Sequence, residues 1–286
     1  MTIDRVLCRP SLGAQNKNLS HWPESTREIS SSDDMAAGAA GGGSDELKLL
    51  GAWVSPFVHR VQVALHLKGL TGYEYAEEDL TNKSDLLLAS NPVHTKVPVL
   101  LHAGKPVCES MLIVQYLDEA FPGSGPALLP ADPHDRAVAR FWAAYADDQI
   151  LACVRLGVQF FASWIKAFVG TTDEERAAAT EAAAAALQKM EGAFGECSKG
   201  KPFFGGDGPG YVDIALGGFV AWMRAFHAVA GVNLLDAART PLLAAWADRF
   251  AALDAAKEVI PDVDRIAEFA KHGLLPLLQK LHSTKN

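Results

Sequence analysis

The chain has 286 residues, long enough for one or two sizeable cores, and its 49% hydrophobic and 21% charged residues are the balance of a water-soluble globular protein. A formal net charge of -8, with no basic stripe interleaved with aromatics, argues against nucleic-acid binding; no uncharged apolar run of about eighteen residues predicts a membrane span. The four cysteines, Cys8, Cys108, Cys153 and Cys197, form no Cys-x-x-Cys pair and keep no metal-ligand spacing with histidine, so no metal is expected and a reducing, cytoplasmic setting is.

Residues 1–45 carry no apolar period, and 36–44 are almost wholly Ala, Gly and Ser. They read as a disordered extension, with Met35 a candidate biological start. Asp4, Glu24, Glu28, Asp33 and Asp34 speak against a transit peptide. The first strand is expected at 47–51. Ser55 then stands as N-cap and Pro56 as first helical residue, with Val58, Val61, Ala64 and Leu65 on one helical face. Such a helix start leaves backbone donors outward and favours an anion, a thiolate among them. His59 lies four residues after Ser55, but there is no Gly-x-Ser-x-Gly elbow, and the histidine is expected to face solvent.

A second strand is expected at 73–77 and a short helix at 85–88 capped by Ser84. Pro98 cannot donate to a ladder, so it belongs at a strand start and is a candidate cis bond. Ala103-Gly104-Lys105 turns the chain back into Pro106-Val107-Cys108, with Cys108 a small hydrophobe in that strand. Ser110 is expected to cap a helix over 111–120. The order βαβαββα makes an open α/β sheet over 46–122, and 123–132, rich in Pro and Gly, is a linker. Helical patterns then run over 133–169, 172–197, 211–229, 241–253 and 263–281, the last interrupted near Gly273 and Pro276, so 133–286 is an all-helical domain. Asp213, beside Gly210 at a helix start, is expected to be a buried structural cap.

The motifs resemble the tau class of plant glutathione transferases. The resemblance rests on Trp53-Val54-Ser55-Pro56-Phe57 with Arg60-Val61, Leu67-Lys68-Gly69, 79–84, Asn91-Pro92-Val93-His94, Lys96-Val97-Pro98-Val99-Leu100, Glu109-Ser110, Arg140-Phe141-Trp142-Ala143, 203–207 and 210–216, and spans residues 46–282. It implies a thioredoxin-like N-terminal domain, an all-helical C-terminal domain, a homodimer, and conjugation of reduced glutathione, a co-substrate and not a bound cofactor, to hydrophobic electrophiles such as herbicides.

Carried over by position, Ser55 is the catalytic serine, whose hydroxyl donates to the glutathione sulfur. Lys83 and Lys96 hold the glycine carboxylate. The Val97 backbone pairs with the cysteinyl moiety ahead of a cis Pro98, and Glu109 with Ser110 grips the γ-glutamyl end. Physically, a free thiol has a pKa of about 8.5, and lowering it by roughly two units needs about 2.7 kcal/mol of thiolate stabilisation. One oriented hydroxyl plus a helix N-terminus is a sufficient source, because a charge-assisted hydrogen bond contributes about 1.5–3 kcal/mol.

The electrophile is expected between the domains, against Phe57, Arg60, Tyr145, Gln149, Trp164, Phe219 and Trp222, although each aromatic is equally explained by helix packing. Two residues depart from the family: Thr95 stands where many members have a second lysine, and Gln149 where a basic residue is frequent. Competing readings are a non-catalytic carrier of hydrophobic metabolites and a glutathione-dependent thiol transferase or peroxidase. Thiol exchange needs a nucleophilic cysteine where this chain has Ser55.

Overall fold

A computed structural model describes residues 46–150 and 172–274. The extension 1–45, Cys8, Cys153, Trp164, Pro276 and the helical stretches expected over 151–169 and 275–281 lie outside the described residues.

Strands β1 (Leu47–Gly51), β2 (Glu74–Glu77), β3 (Val99–His102) and β4 (Lys105–Cys108) form one sheet in the order β2-β1-β3-β4. β2 runs parallel to β1 through the crossover helix α1 (Pro56–Leu67), while β3 is antiparallel to both β1 and β4. α2 (Asp85–Ser90) is capped by Ser84, whose Oγ accepts from Leu87 N at 3.0 Å, and α3 (Ser110–Ala120) closes the α/β part. β2 begins one residue later than the alternation predicts and is only half-buried, because it is an edge strand. At Gly51 a Cβ would lie 2.7 Å from Val58 Cγ1 and 2.8 Å from Tyr75 Cε2, so glycine lets α1 and Tyr75 close over β1.

The linker is anchored rather than loose. The fully buried Lys68 ammonium donates to Asp118 Oδ1 at 3.0 Å and to Pro126 O at 3.2 Å, and Asp118 accepts from Leu128 N at 2.9 Å and Leu129 N at 3.0 Å. Each partner of this buried pair has further hydrogen bonds, which such a pair needs to offset its desolvation.

The helical part comprises α4 (Pro133–Tyr145), a π-helical turn (Ala146–Ile150), α5 (Asp173–Ser198), α6 (Tyr211–Gly217), α7 (Val220–Ala230), α8 (Pro241–Ala251), α9 (Asp254–Lys257), α10 (Val263–Phe269) and a second π turn (Ala270–Leu274). Thr172 caps α5 as its sequence predicts, accepting from Glu175 N at 3.2 Å. The single helix expected over 211–229 is two, broken at Gly218–Phe219. Length and composition would let Tyr211–Ala230 cross a membrane, but most of it is buried in the helical core, which accounts for its apolarity. At Gly218 a Cβ would meet Pro56 O at 2.5 Å and Arg60 Cγ at 2.9 Å. That close approach seats the α6–α7 junction directly on the first turn of α1.

Candidate active site

The strand register brings the sequence-predicted site together at one end of the sheet. Gly51, the last residue of β1, pairs with Glu77 at the end of β2, so the Ser55 turn and the loop carrying Lys83 leave side by side. Leu50 faces Val99, and Val99 faces Cys108, so Val97 and Pro98 enter, and Glu109 and Ser110 depart, at that same end. The Val97–Pro98 bond is cis.

Ser55 is the N-cap of α1, buried, with extended backbone. Its Oγ accepts from Val58 N at 3.4 Å, a long contact, and its hydroxyl proton remains available to donate. Two carbonyls just before it are held by side chains: Trp53 O by His59 Nε2 at 2.8 Å, and Val54 O by Trp222 Nε1 at 2.8 Å. Trp53 N in turn donates to the Glu77 carboxylate at 3.1 and 3.2 Å.

His59 is therefore not the solvent-facing residue its polarity suggests; it is fully buried, and burial pushes its pKa down to about 4 against the pull of backbone carbonyls. α1 lies between the α/β part and the helical part, so nearly its whole circumference is covered, and the apolar stripe alone does not show that.

Ser110 is the first residue of α3 and not its cap. The cap position falls to Glu109, whose φ of 73° is left-handed and costs a non-glycine residue about 1–3 kcal/mol. Glu109 is exposed and its carboxylate lies 3.9 Å from His94 Nε2. Ser110 is buried, and its Oγ accepts from Arg60 Nη1 at 3.2 Å. Arg60 also donates through Nε to Ala215 O at 2.8 Å, pairs with Asp147 in the first π turn, and lies between the Phe57 and Phe219 rings at 5.3 and 4.9 Å. It joins the α/β and helical parts. The sequence reading missed this role, because the burial of α1 on both sides is set by elements distant in sequence.

Lys83 and Lys96 are half-buried on neighbouring loops. Lys83 Nζ donates to Thr95 Oγ1 at 3.3 Å, and Lys96 O accepts from Asn91 Nδ2 at 2.9 Å. Thr95, the departure from family pattern, thus supplies a partner for Lys83. Cys108 is half-buried and its thiol is pushed up by burial and by Glu109, the opposite of an activated nucleophile.

The electrophile candidates divide. Phe57 and Tyr145 are half-buried and Gln149 is exposed, so all three keep accessible surface; Tyr145 immediately precedes the first π turn and Gln149 lies in it. Arg60, Phe219 and Trp222 are buried, Phe219 edge-on beneath Phe57 at 5.5 Å and Trp222 stacked on Phe226 at 5.4 Å. Trp164 lies outside the described residues. Asp213 matches its reading as a buried cap, with burial raising its pKa to about 6.

Comparison with known proteins agrees with this arrangement. The profile of the glutathione S-transferase N-terminal domain matches residues 45–119, and that of the C-terminal domain matches residues 173–249. A probable glutathione S-transferase of Oryza sativa subsp. japonica, GSTU6, is 58% identical over 232 residues, covering 79% of this chain and 94% of its own. A tau-class glutathione S-transferase structure from mango, Mangifera indica, is similar at a TM-score of 0.73 and 46% identity, covering 80% of this chain and 98% of its own. A rice structure solved in complex with glutathione has a TM-score of 0.69 and 42% identity over 82% of this chain and 98% of its own.

Proposed function

The chain belongs to the tau class of glutathione S-transferases, and on that premise we propose how its own residues conjugate glutathione. Ser55 donates its hydroxyl to the glutathione sulfur. The thiol proton leaves to water and the thiolate attacks the electrophilic carbon. A carbon–sulfur bond forms as the leaving group, chloride from 1-chloro-2,4-dinitrobenzene for example, departs with its electron pair. Val97 offers its backbone to the cysteinyl unit beside cis Pro98. Glu109 answers the γ-glutamyl ammonium and Ser110 its carboxylate, while Lys83 and Lys96 bind the glycine carboxylate as point charges.

Residues 46–122 hold glutathione, 123–132 link, and 133–286 wall the electrophile, with Phe57, Tyr145 and Gln149 as its accessible contacts. The reading rests on one observation: a capping hydroxyl at a helix N-terminus sits where the register also delivers cis Pro98 and Ser110. Its test is a crystal structure with S-hexylglutathione. The sulfur is expected within hydrogen-bond reach of Ser55 Oγ, and a sulfur far from residue 55 overturns the assignment.

Thr95 supports Lys83 through one hydrogen bond between neutral hydroxyl and ammonium. Thr95→Val is expected to raise KM for glutathione about threefold with kcat unchanged, and Lys83→Ala to raise it about tenfold, the pattern of lost ground-state binding. Steady-state kinetics with varied glutathione reads both.

A homodimer fits the apolar surface left open on α3 and α4: Leu112 is 58% and Phe141 60% exposed, and Arg140 Nε to Gln115 Oε1 at 3.1 Å ties the two helices together. Phe141→Asp is expected to halve the mass measured by light scattering on a sizing column; an unchanged mass removes this face from the interface. Reduced glutathione and the free thiols of Cys108 and Cys197 suit a cytoplasmic setting.

A further inference from the structure

The two residues before Ser55 are gripped through three backbone groups. Trp53 N–H is held by the β2 residue Glu77, Trp53 C=O by His59 on α1, and Val54 C=O by Trp222 on α7. Because a carbonyl only accepts, the His59 proton sits on Nε2. The neutral ring then leaves Nδ1 without a proton, and among the described residues that buried atom has no hydrogen-bond partner, although the Gly218 backbone also pulls on the ring. An orphaned buried nitrogen costs stability, and an apolar side chain of similar size would avoid the cost. What the apolar chain lacks is a donor for Trp53 O. Trp222 shows the same logic from the other part of the molecule: its ring is packed against Phe226, and its single donor is used on the turn.

We propose that His59 and Trp222 are positioning residues for thiolate formation, holding the Trp53 and Val54 carbonyls so that the Ser55 hydroxyl points at the glutathione sulfur. The proposal rests on the assignment of Ser55 above. A tilt of the turn weakens a directional hydrogen bond to sulfur while leaving the loops that bind the ends of the tripeptide in place. Loss of the grip therefore appears as a higher pKa of the bound thiol and not as weaker glutathione binding.

The experiment compares His59→Met, His59→Gln, Trp222→Phe and Ser55→Ala, each checked for folding by circular dichroism. The readouts are the ultraviolet absorbance of the bound thiolate against pH and the pH profile of kcat/KM. His59→Met and Trp222→Phe are expected to lower kcat/KM about five- to tenfold at pH near 6.5, to recover toward parent at pH near 9, and to leave KM for glutathione within about twofold. His59→Gln keeps a donor near the Nε2 position and is expected to stay close to parent.

A loss equal at every pH, as a smaller folded fraction would give, overturns the proposal. So does an unshifted thiol in both donor-less variants, or a shift in His59→Gln as large as in His59→Met. If His59→Met does not fold, Trp222→Phe, which keeps the aromatic stack, decides alone. Full turnover in Ser55→Ala removes the Ser55 assignment itself; loss there with parent behaviour in the other variants removes only the positioning role.

Discussion

Ser55→Ala is expected to lower kcat with 1-chloro-2,4-dinitrobenzene by about 30- to 100-fold near neutral pH while KM for glutathione changes less than about threefold. The magnitude follows from the interaction removed. A hydroxyl donating to a thiolate is charge-assisted and contributes about 1.5–3 kcal/mol, which is roughly one to two factors of ten. The remaining stabilisation comes from the N-terminus of α1, whose backbone donors survive the substitution, so activity falls without vanishing. Because the lost energy acts on the ionised sulfur, the bound thiol should titrate closer to the free value of about 8.5, and raising the pH should restore part of the rate. Structure is not at risk: the only bond made by Ser55 Oγ within the described residues is the 3.4 Å contact to Val58 N, and losing so long a cap bond costs well under about 1 kcal/mol. A variant with parent kcat would leave the sulfur to be activated by some other group. Cys108 is no substitute, since its thiol is shifted the wrong way.

Local chemistry made much of this legible from sequence. The Ser55-Pro56 start, the Ser84 and Thr172 caps and the strand start at Pro98 are decided by residues within a turn of one another, and each was found where expected. The helix break at 218–219 was not. Gly217-Gly218 is a local signal for the break that the helical period over 211–229 outweighed, and the seating of Gly218 on Pro56, a contact between residues far apart in sequence, reinforces it. His59 failed for a related reason. Polar residues on a helix predict an exposed face only when a face is exposed, and α1 is covered on both sides by elements that come later in the chain. The same tertiary fact buries Phe219 and Trp222. Their spacing marks them as buried, but whether an aromatic lines a cleft or fills a core depends on which helix faces it.

Asp213→Ala is expected to cost about 3–5 kcal/mol, the largest stability loss of any single change considered. The carboxylate is fully buried and accepts from Phe204 N at 3.0 Å, Gly205 N and Gly210 N at 2.8 Å and Trp246 Nε1 at 2.7 Å. Alanine strands all of these donors away from water. Asp213→Asn keeps the shape but turns an amide N–H₂ toward N–H groups, so it is expected to cost about 2–4 kcal/mol. The titration of Asp213 gives a second, independent signature. Burial raises its pKa from 3.8 to about 6. The folded state therefore binds the proton more tightly, and the stability this group contributes is complete below pH 3.8 and lost as pH rises through 6. His59 acts in the opposite sense: its pKa falls from 6.5 to about 4, so its contribution is complete above pH 6.5 and lost as pH falls through 4. Between pH 4 and 6 the two slopes oppose each other in the parent. Removing Asp213 leaves the His59 slope uncompensated, so urea unfolding of Asp213→Asn should show stability rising with pH across that window more steeply than in the parent. His59→Gln should show the reverse. An Asp213→Asn profile parallel to the parent would mean that this carboxylate does not change protonation there, and that its donors hold it ionised throughout.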